Sequence, residues 1–178
     1  LFSQTNNSNL IISEILYNPP GTDSIEFIEF YNPLNNNISL NGYSLSGPFK
    51  YNFPDVVVEP NGYFVIAKDS VIMRKHLNTI SYDWGSGSLA NTTKTITVKD
   101  SNGDIVDEVT YYNTEPWPVI KSSGGPSIEL NRLDSDNNDG SNWKLSTTFG
   151  VVLNNGDTLF CSPGKANLPY LPDADFNV

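Results

Sequence analysis

A sandwich or barrel of eight to ten short antiparallel strands is the fold class this sequence predicts, an all-β architecture. Three observations carry that expectation. Short apolar runs with alternating pattern recur at close spacing, each closed by a turn signal. The 178 residues hold three Trp, nine Tyr and nine Phe, with Asn, Ser, Thr, Gly and Pro filling the gaps, which is a strand-and-turn composition rather than a disordered one. Helical periodicity is weak throughout. Periodicity alone does not separate sandwich from barrel.

The strand candidates follow in order. "NLIISEILY" (9–17) stops at "NPPG", and "SIEFIEFY" (24–31) stops at "NPLNNN". "ISLNGYSLSG" (38–47) carries an Asn-Gly turn signal inside it, and "KYNFP" (50–54) ends on proline. "VVVEPNGYFVIAKD" (56–69) is interrupted by Pro-Asn-Gly before its apolar run. "KTITVKDSNGDIVDEVTYY" (94–112) reads most clearly as a hairpin, with alternation on both arms and Asn102-Gly103 at a turn that needs positive φ. "PSIELNRL" (126–133), "NWKLS" (142–146) and a last hairpin, "FGVVLNNGDTLFCSPG" (149–164) around Asn155-Gly156, complete the series. The exception is "DSVIMRKHLN" (69–78), which suits one or two helical turns capped by Asp69 or Ser70.

One domain is expected over residues 10–167, a chain long enough to bury roughly 70% of its unfolded surface. Residues 1–9 read as a leader, with a small residue, Ser3, where a signal peptide would be cut. Residues 168–178 hold two prolines and acidic residues and read as a linker or tail. The net charge of −10, with ten scattered basic residues, argues against nucleic acid and anionic membranes as partners, because phosphate binding needs clustered Lys and Arg. No apolar run approaches the ~20 residues of a membrane span, so no membrane insertion is expected. Cys161 is the only cysteine, so stability must come from the core.

Candidate sites are few. Glu26 and Glu29 stand in an apolar run, but residues three apart on a strand point to opposite faces and lie ~10 Å apart. That spacing does not suit a glycosidase pair within one strand, although Glu14 on a neighbouring strand could complete one. A buried glutamate held by backbone N–H groups or by Arg132 is the structural alternative. Cys161 with His76, the only histidine, would be the sole cysteine–histidine dyad, and a small core residue is the competing role for Cys161. In "DSDNNDGSN" (134–142), Asp134, Asp136 and Asn138 occupy the first, third and fifth places of a calcium-loop spacing, with Asp139 beside them. The loop glycine comes one place late and the twelfth place is Leu145, so this is an irregular calcium candidate, not an EF-hand. Calcium is the only cofactor the residues suggest. Trp84, Trp117 and Trp143 would suit either sugar stacking or core packing.

Taken in order, the segments resemble the lamin tail domain, in the form common in secreted bacterial proteins. The resemblance rests on I-x-E-I (12–15), Y-N-P (17–19), Asp23, E-F-I-E-F-Y-N (26–32) and the pattern of Ile38, Leu40, Gly42, Tyr43 and Leu45. It continues through Pro60, Gly62 and Tyr63 to Asp69, then Gly87, Leu89 and Asn91, and then the hairpin with Ile96, Val98, Asp100, Gly103 and I-V-D-E-V-T-Y (105–111). Trp117-Pro118, Gly125 with 127–130, Trp143 and the closing S-P-G-K-A-N (162–167) complete it. The insert at 70–82 and the hairpin at 149–160 depart from the pattern. The resemblance implies an immunoglobulin-like β-sandwich with no catalytic residues. It implies an interaction or attachment module of an exported or cell-surface protein, whose partner is a protein or a cell-surface component. A carbohydrate-binding module, calcium-assisted or not, is the alternative function, and a hydrolase using Glu14, Glu26 or Glu29 the third. Asp-Ser/Thr-apolar triplets at 23–25, 69–71 and 157–159 resemble O-glycosylation sites of Bacteroidota, in keeping with export.

Overall fold

The computed structural model describes residues 10–167. The leader and tail expected at 1–9 and 168–178 lie outside the described residues. The strands are β1 (Ile11–Leu16), β2 (Phe27–Tyr31), β3 (Ile38–Ser39), β4 (Ser44–Ser46), β5 (Tyr51–Asn52), β6 (Val57–Val58) and β7 (Tyr63–Ala67). After the helix α1 (Ser70–Leu77) come β8 (Tyr82–Asp83), β9 (Thr93–Lys99), β10 (Ile105–Tyr112), β11 (Ile128–Leu130), β12 (Trp143–Leu145), β13 (Phe149–Val152) and β14 (Thr158–Phe160).

Six strands form the larger sheet in the order β12-β11-β1-β2-β7-β8, and four form the smaller one in the order β10-β9-β4-β5. The pairs β3–β6 and β13–β14 stand as separate two-stranded ribbons. The all-β sandwich therefore holds. The strands described number fourteen rather than eight to ten, in part because β8 adds one and two expected strands divide. Asn41-Gly42 separates β3 from β4, and the Pro60-Asn61-Gly62 turn separates β6 from β7, so each pair serves two different sheets or ribbons. The β7–β8 pairing is parallel, unlike every other, because α1 supplies the crossover that a parallel connection needs. Asp69 caps that helix by accepting from the Ile72 amide at 2.9 Å, and Asn78 ends it with a left-handed φ of 52°.

The larger sheet is buried on both faces, which is why its strands read as continuous apolar runs rather than as clean alternation. Its inner face contributes Ile12, Ile28, Phe30, Phe64, Ile66 and Ile128 to a core shared with Leu45, Ile96, Val98 and Val109 of the smaller sheet. The outer face carries Leu16, Phe27, Val65 and Ala67, and these pack under Met73 of α1 and Leu159 of β14. The insert and the hairpin that depart from the family pattern thus form one lid over the second face.

Asp107 ties the two sheets together. β11 pairs with β1 only at Glu14 and Ile15, so the Ile12 amide lies beyond that ladder. The Asp107 carboxylate, reaching from β10, accepts it at 2.6 Å. The same carboxylate accepts from Asn137 Nδ2 at 2.8 Å and from the Glu108 amide at 2.9 Å.

Candidate functional site

Strand register brings three glutamates together at the centre of the larger sheet. Glu14 on β1 stands opposite Glu29 on β2 and opposite Glu129 on β11, and Glu129 stands opposite Lys144 on β12. All three glutamates are fully buried. They belong to the outer face, beyond the Leu16 and Phe27 layer, where the closing segment 161–167 covers them.

Every carboxyl oxygen of the three has a partner. Ser13 donates its hydroxyl to Glu29 Oε1 at 2.7 Å, and the Gly164 amide donates to Glu29 Oε2 at 2.6 Å. Glu14 Oε1 accepts from the Ser127 hydroxyl at 2.5 Å and from the Ser162 amide at 2.9 Å. Ser162 Oγ lies 3.2 Å from Glu14 Oε2 and 2.9 Å from Glu129 Oε1, while Lys144 pairs with Glu129 Oε2. Burial pushes the Glu14 carboxyl up to about 8, and the neighbouring Glu129 charge adds to the rise. Burial, with the Glu14 charge, holds Glu29 well above the usual carboxylate range. Lone carboxylates in such surroundings neutralise rather than remain charged.

The catalytic possibilities resolve against this geometry. Glu14 and Glu29 do meet, as the hydrolase reading requires, but both are sealed and their oxygens are taken up by the protein. Glu26 lies just outside the strand, at the end of the 3-10 turn Asp23–Ile25, rather than on β2. Its Oε2 accepts from the Leu89 amide at 3.1 Å, and burial raises it to about 8. Glu26 and Glu29 therefore serve separate structural networks, as their spacing predicts. Arg132 holds none of these glutamates: it is exposed and pairs with Asp134, with Nη2 2.8 Å from Oδ2. Glu129 escaped the sequence reading as a site residue. Its signal was the same as that of Glu14, a lone carboxylate inside an apolar strand, but its place beside Glu14 depends on a pairing 115 residues apart in sequence.

Cys161 is buried in the outer-face core, and burial pushes its thiol up. His76 instead lines a cleft of about 320 Å³ with Ile25, Ile72 and Leu153, and among the described residues no hydrogen bond joins the two. The three tryptophans are all buried. Trp117 and Trp143 lie 5.5 Å apart between ring centroids, and Trp84 stacks on Phe49 at 4.4 Å, so they pack the core instead of presenting a flat platform.

Each acidic side chain of the turn has at least one oxygen engaged locally. Asp136 Oδ1 accepts the Asn138 amide at 3.0 Å, and Asn138 Oδ1 accepts the Thr110 amide of β10 at 3.0 Å. Asp139 caps the 3-10 turn Gly140–Asn142 through the Ser141 amide at 2.9 Å, and Asp134 faces Arg132. Among the described residues no group of three or more His, Cys, Asp or Glu is arranged to hold a metal ion. Millimolar Ca²⁺ is accordingly expected to leave the melting temperature unchanged. A calcium-dependent rise that disappears in Asp136→Asn would place an ion in this turn.

Fold and site together define a β-sandwich of the immunoglobulin-like class, closed by a segment that binds a buried carboxyl row. The family model for the Lamin Tail Domain matches residues 3–113, and the chain belongs to that family, which is generally non-catalytic. No curated protein matches the chain. The match ends after β10, so β11, β12, the last hairpin and the closing segment lie beyond it. Among the described residues no helix is long and apolar enough to cross a membrane.

Proposed function

We propose that this domain is a non-catalytic interaction or attachment module of an exported or cell-surface protein, and that it engages a protein partner or cell-surface component. The observation that carries the reading is the outer side of the β13–β14 hairpin. Phe149 and Phe160 are cross-strand partners and are 63% and 37% exposed. Val152, on the same hairpin, is also exposed. Apolar side chains grouped in this way cost solvation unless something covers them, and such patches mark interaction sites. The net charge of −10 favours a partner that presents basic groups around an apolar centre. Family membership supports the same reading.

Fluorescently labelled domain is expected to bind surface preparations of the organism that encodes it. The double variant Phe149→Ser/Phe160→Ser should keep its circular dichroism spectrum and lose binding by at least about tenfold, the scale of one or two buried phenyl contacts. Binding that survives the double variant and is competed by soluble glycans would move the assignment to carbohydrate recognition.

A further inference from the structure

We propose that the closing segment 161–167 is a proton-operated latch: one carboxyl proton held by the neighbouring Glu14 and Glu29 keeps Ser162 and Gly164 down on the sheet, and its loss releases them.

Proton counting carries the proposal. Ser162 Oγ is within hydrogen-bond distance of three acceptor oxygens: Glu14 Oε2 at 3.2 Å, Glu129 Oε1 at 2.9 Å and Asn167 Oδ1 at 3.4 Å. The Asn167 amide cannot be reversed to relieve this, because its Nδ2 already donates to the Ser13 and Leu130 carbonyls. A serine hydroxyl has one proton to give. If it goes to Glu129, the Glu14–Ser162 contact is attractive only when Glu14 Oε2 carries a proton and donates to Oγ. With one proton on the carboxyl row both Ser162–carboxyl contacts are donor–acceptor pairs, and without it one of them is not; Asn167 Oδ1, the most distant of the three, goes without a proton from Ser162 in either case.

The charges point the same way. Three buried carboxyls face one ammonium, that of Lys144 on β12. From β7 the row meets the Tyr63 phenol, and from the closing segment the Cys161 thiol, both held neutral by burial. Lys165 is exposed, and α1 leaves Arg74 and Lys75 exposed as well. Two uncompensated carboxylates side by side in a buried layer repel, and the least costly relief is to admit water by lifting the segment that covers them.

The direction with pH follows from linkage. The closed latch keeps the Glu14 proton up to about 8, whereas an opened, hydrated carboxyl would release it near its ordinary value of 4.5. Closure is therefore fully favoured below the ordinary value, and the opening constant should rise up to about tenfold per pH unit between the two. Opening frees Asn167 and uncovers the carboxyl row.

Amide hydrogen exchange by NMR, corrected for base catalysis, tests this on the intact domain. From pH 6 to pH 8.5 the opening constants at Ser162 and Gly164 should rise on the order of 10- to 100-fold and stay well above that of the Val98 amide in β9, which reports global unfolding. Glu14→Gln supplies a permanent N–H in place of the acid proton and should flatten most of that rise. Should that substitution prevent folding, Ser162→Ala removes the bridging hydroxyl and should raise opening already at pH 6, with a shallower pH profile. Opening constants at Ser162 and Gly164 that do not change with pH in the unaltered protein would overturn the latch. So would opening constants at Ser162 and Gly164 that equal the Val98 value at every pH, since that is global unfolding alone.

Discussion

Replacing Asp107 with alanine is expected to destabilise the domain by about 3 kcal/mol, a large share of the 5–15 kcal/mol typical of a folded domain. The carboxylate accepts from the Ile12 amide, the Asn137 side chain and the Glu108 amide, and it is 4% exposed. Removing it strands up to three donors where little water reaches, and each stranded donor costs about 1–3 kcal/mol. Partial repair by rearrangement is why the sum is not simply tripled. The damage should spread, because Asn137 also donates to the Ile12 carbonyl at 3.2 Å and accepts from Trp143 Nε1 through its own carbonyl at 2.9 Å. Urea unfolding should show a lower midpoint with an unchanged slope. Asp107→Asn keeps the shape but turns an N–H₂ towards donors, so it should recover less than half of the loss. A midpoint within error of the unaltered protein would show that the smaller sheet does not depend on this tie.

The second large effect is a loss of stability with rising pH. Glu14 and Glu26 are raised to about 8, Glu29 well above its ordinary value, and Asp107 to about 6, in each case chiefly by burial. The folded state therefore binds more protons than the unfolded state above the ordinary carboxylate range, and the slope of unfolding free energy with pH is negative there. The contribution of each group is complete below its unfolded value and is lost as pH climbs through its folded value. At about 1.4 kcal/mol per pH unit for each proton, even one such group dominates the profile. The melting temperature should be highest near pH 5 and fall steadily to pH 8, the reverse of the usual acid-labile pattern. A midpoint that is flat or rising over that interval would show the carboxyls to be ionised in the native state.

The two networks differ in how far they could be read from sequence. The hairpin of β9 and β10 was visible because alternation and Asn102-Gly103 are local signals, and Asp100 accepts the Asn102 and Asp104 amides as such a turn requires. That Glu26 and Glu29 do not pair with each other could be read from their spacing, although Glu26 sits in the turn before β2 and not on the strand. Glu129 and Lys144 were invisible as members of the row, since nothing within 126–146 says which strand lies alongside β1. The tryptophans show the same limit from the other side: composition counted three large aromatics but not the layer into which each would face. The parallel β7–β8 pair was missed because a two-residue strand leaves no periodicity to read.

The order of residues along the chain has a consequence for biosynthesis. Glu14 and Glu29 leave the ribosome early, in the part that matches the family model, but the serine and glycine that cover them lie at 162 and 164. Until those emerge, a nascent sheet would have to keep two neighbouring carboxyls wet, so its central strands should stay unpaired or loosely paired. The domain is thus set to fold late in its own translation and all at once, and a recombinant fragment ending at residue 113 should be soluble only as an unfolded chain or not at all.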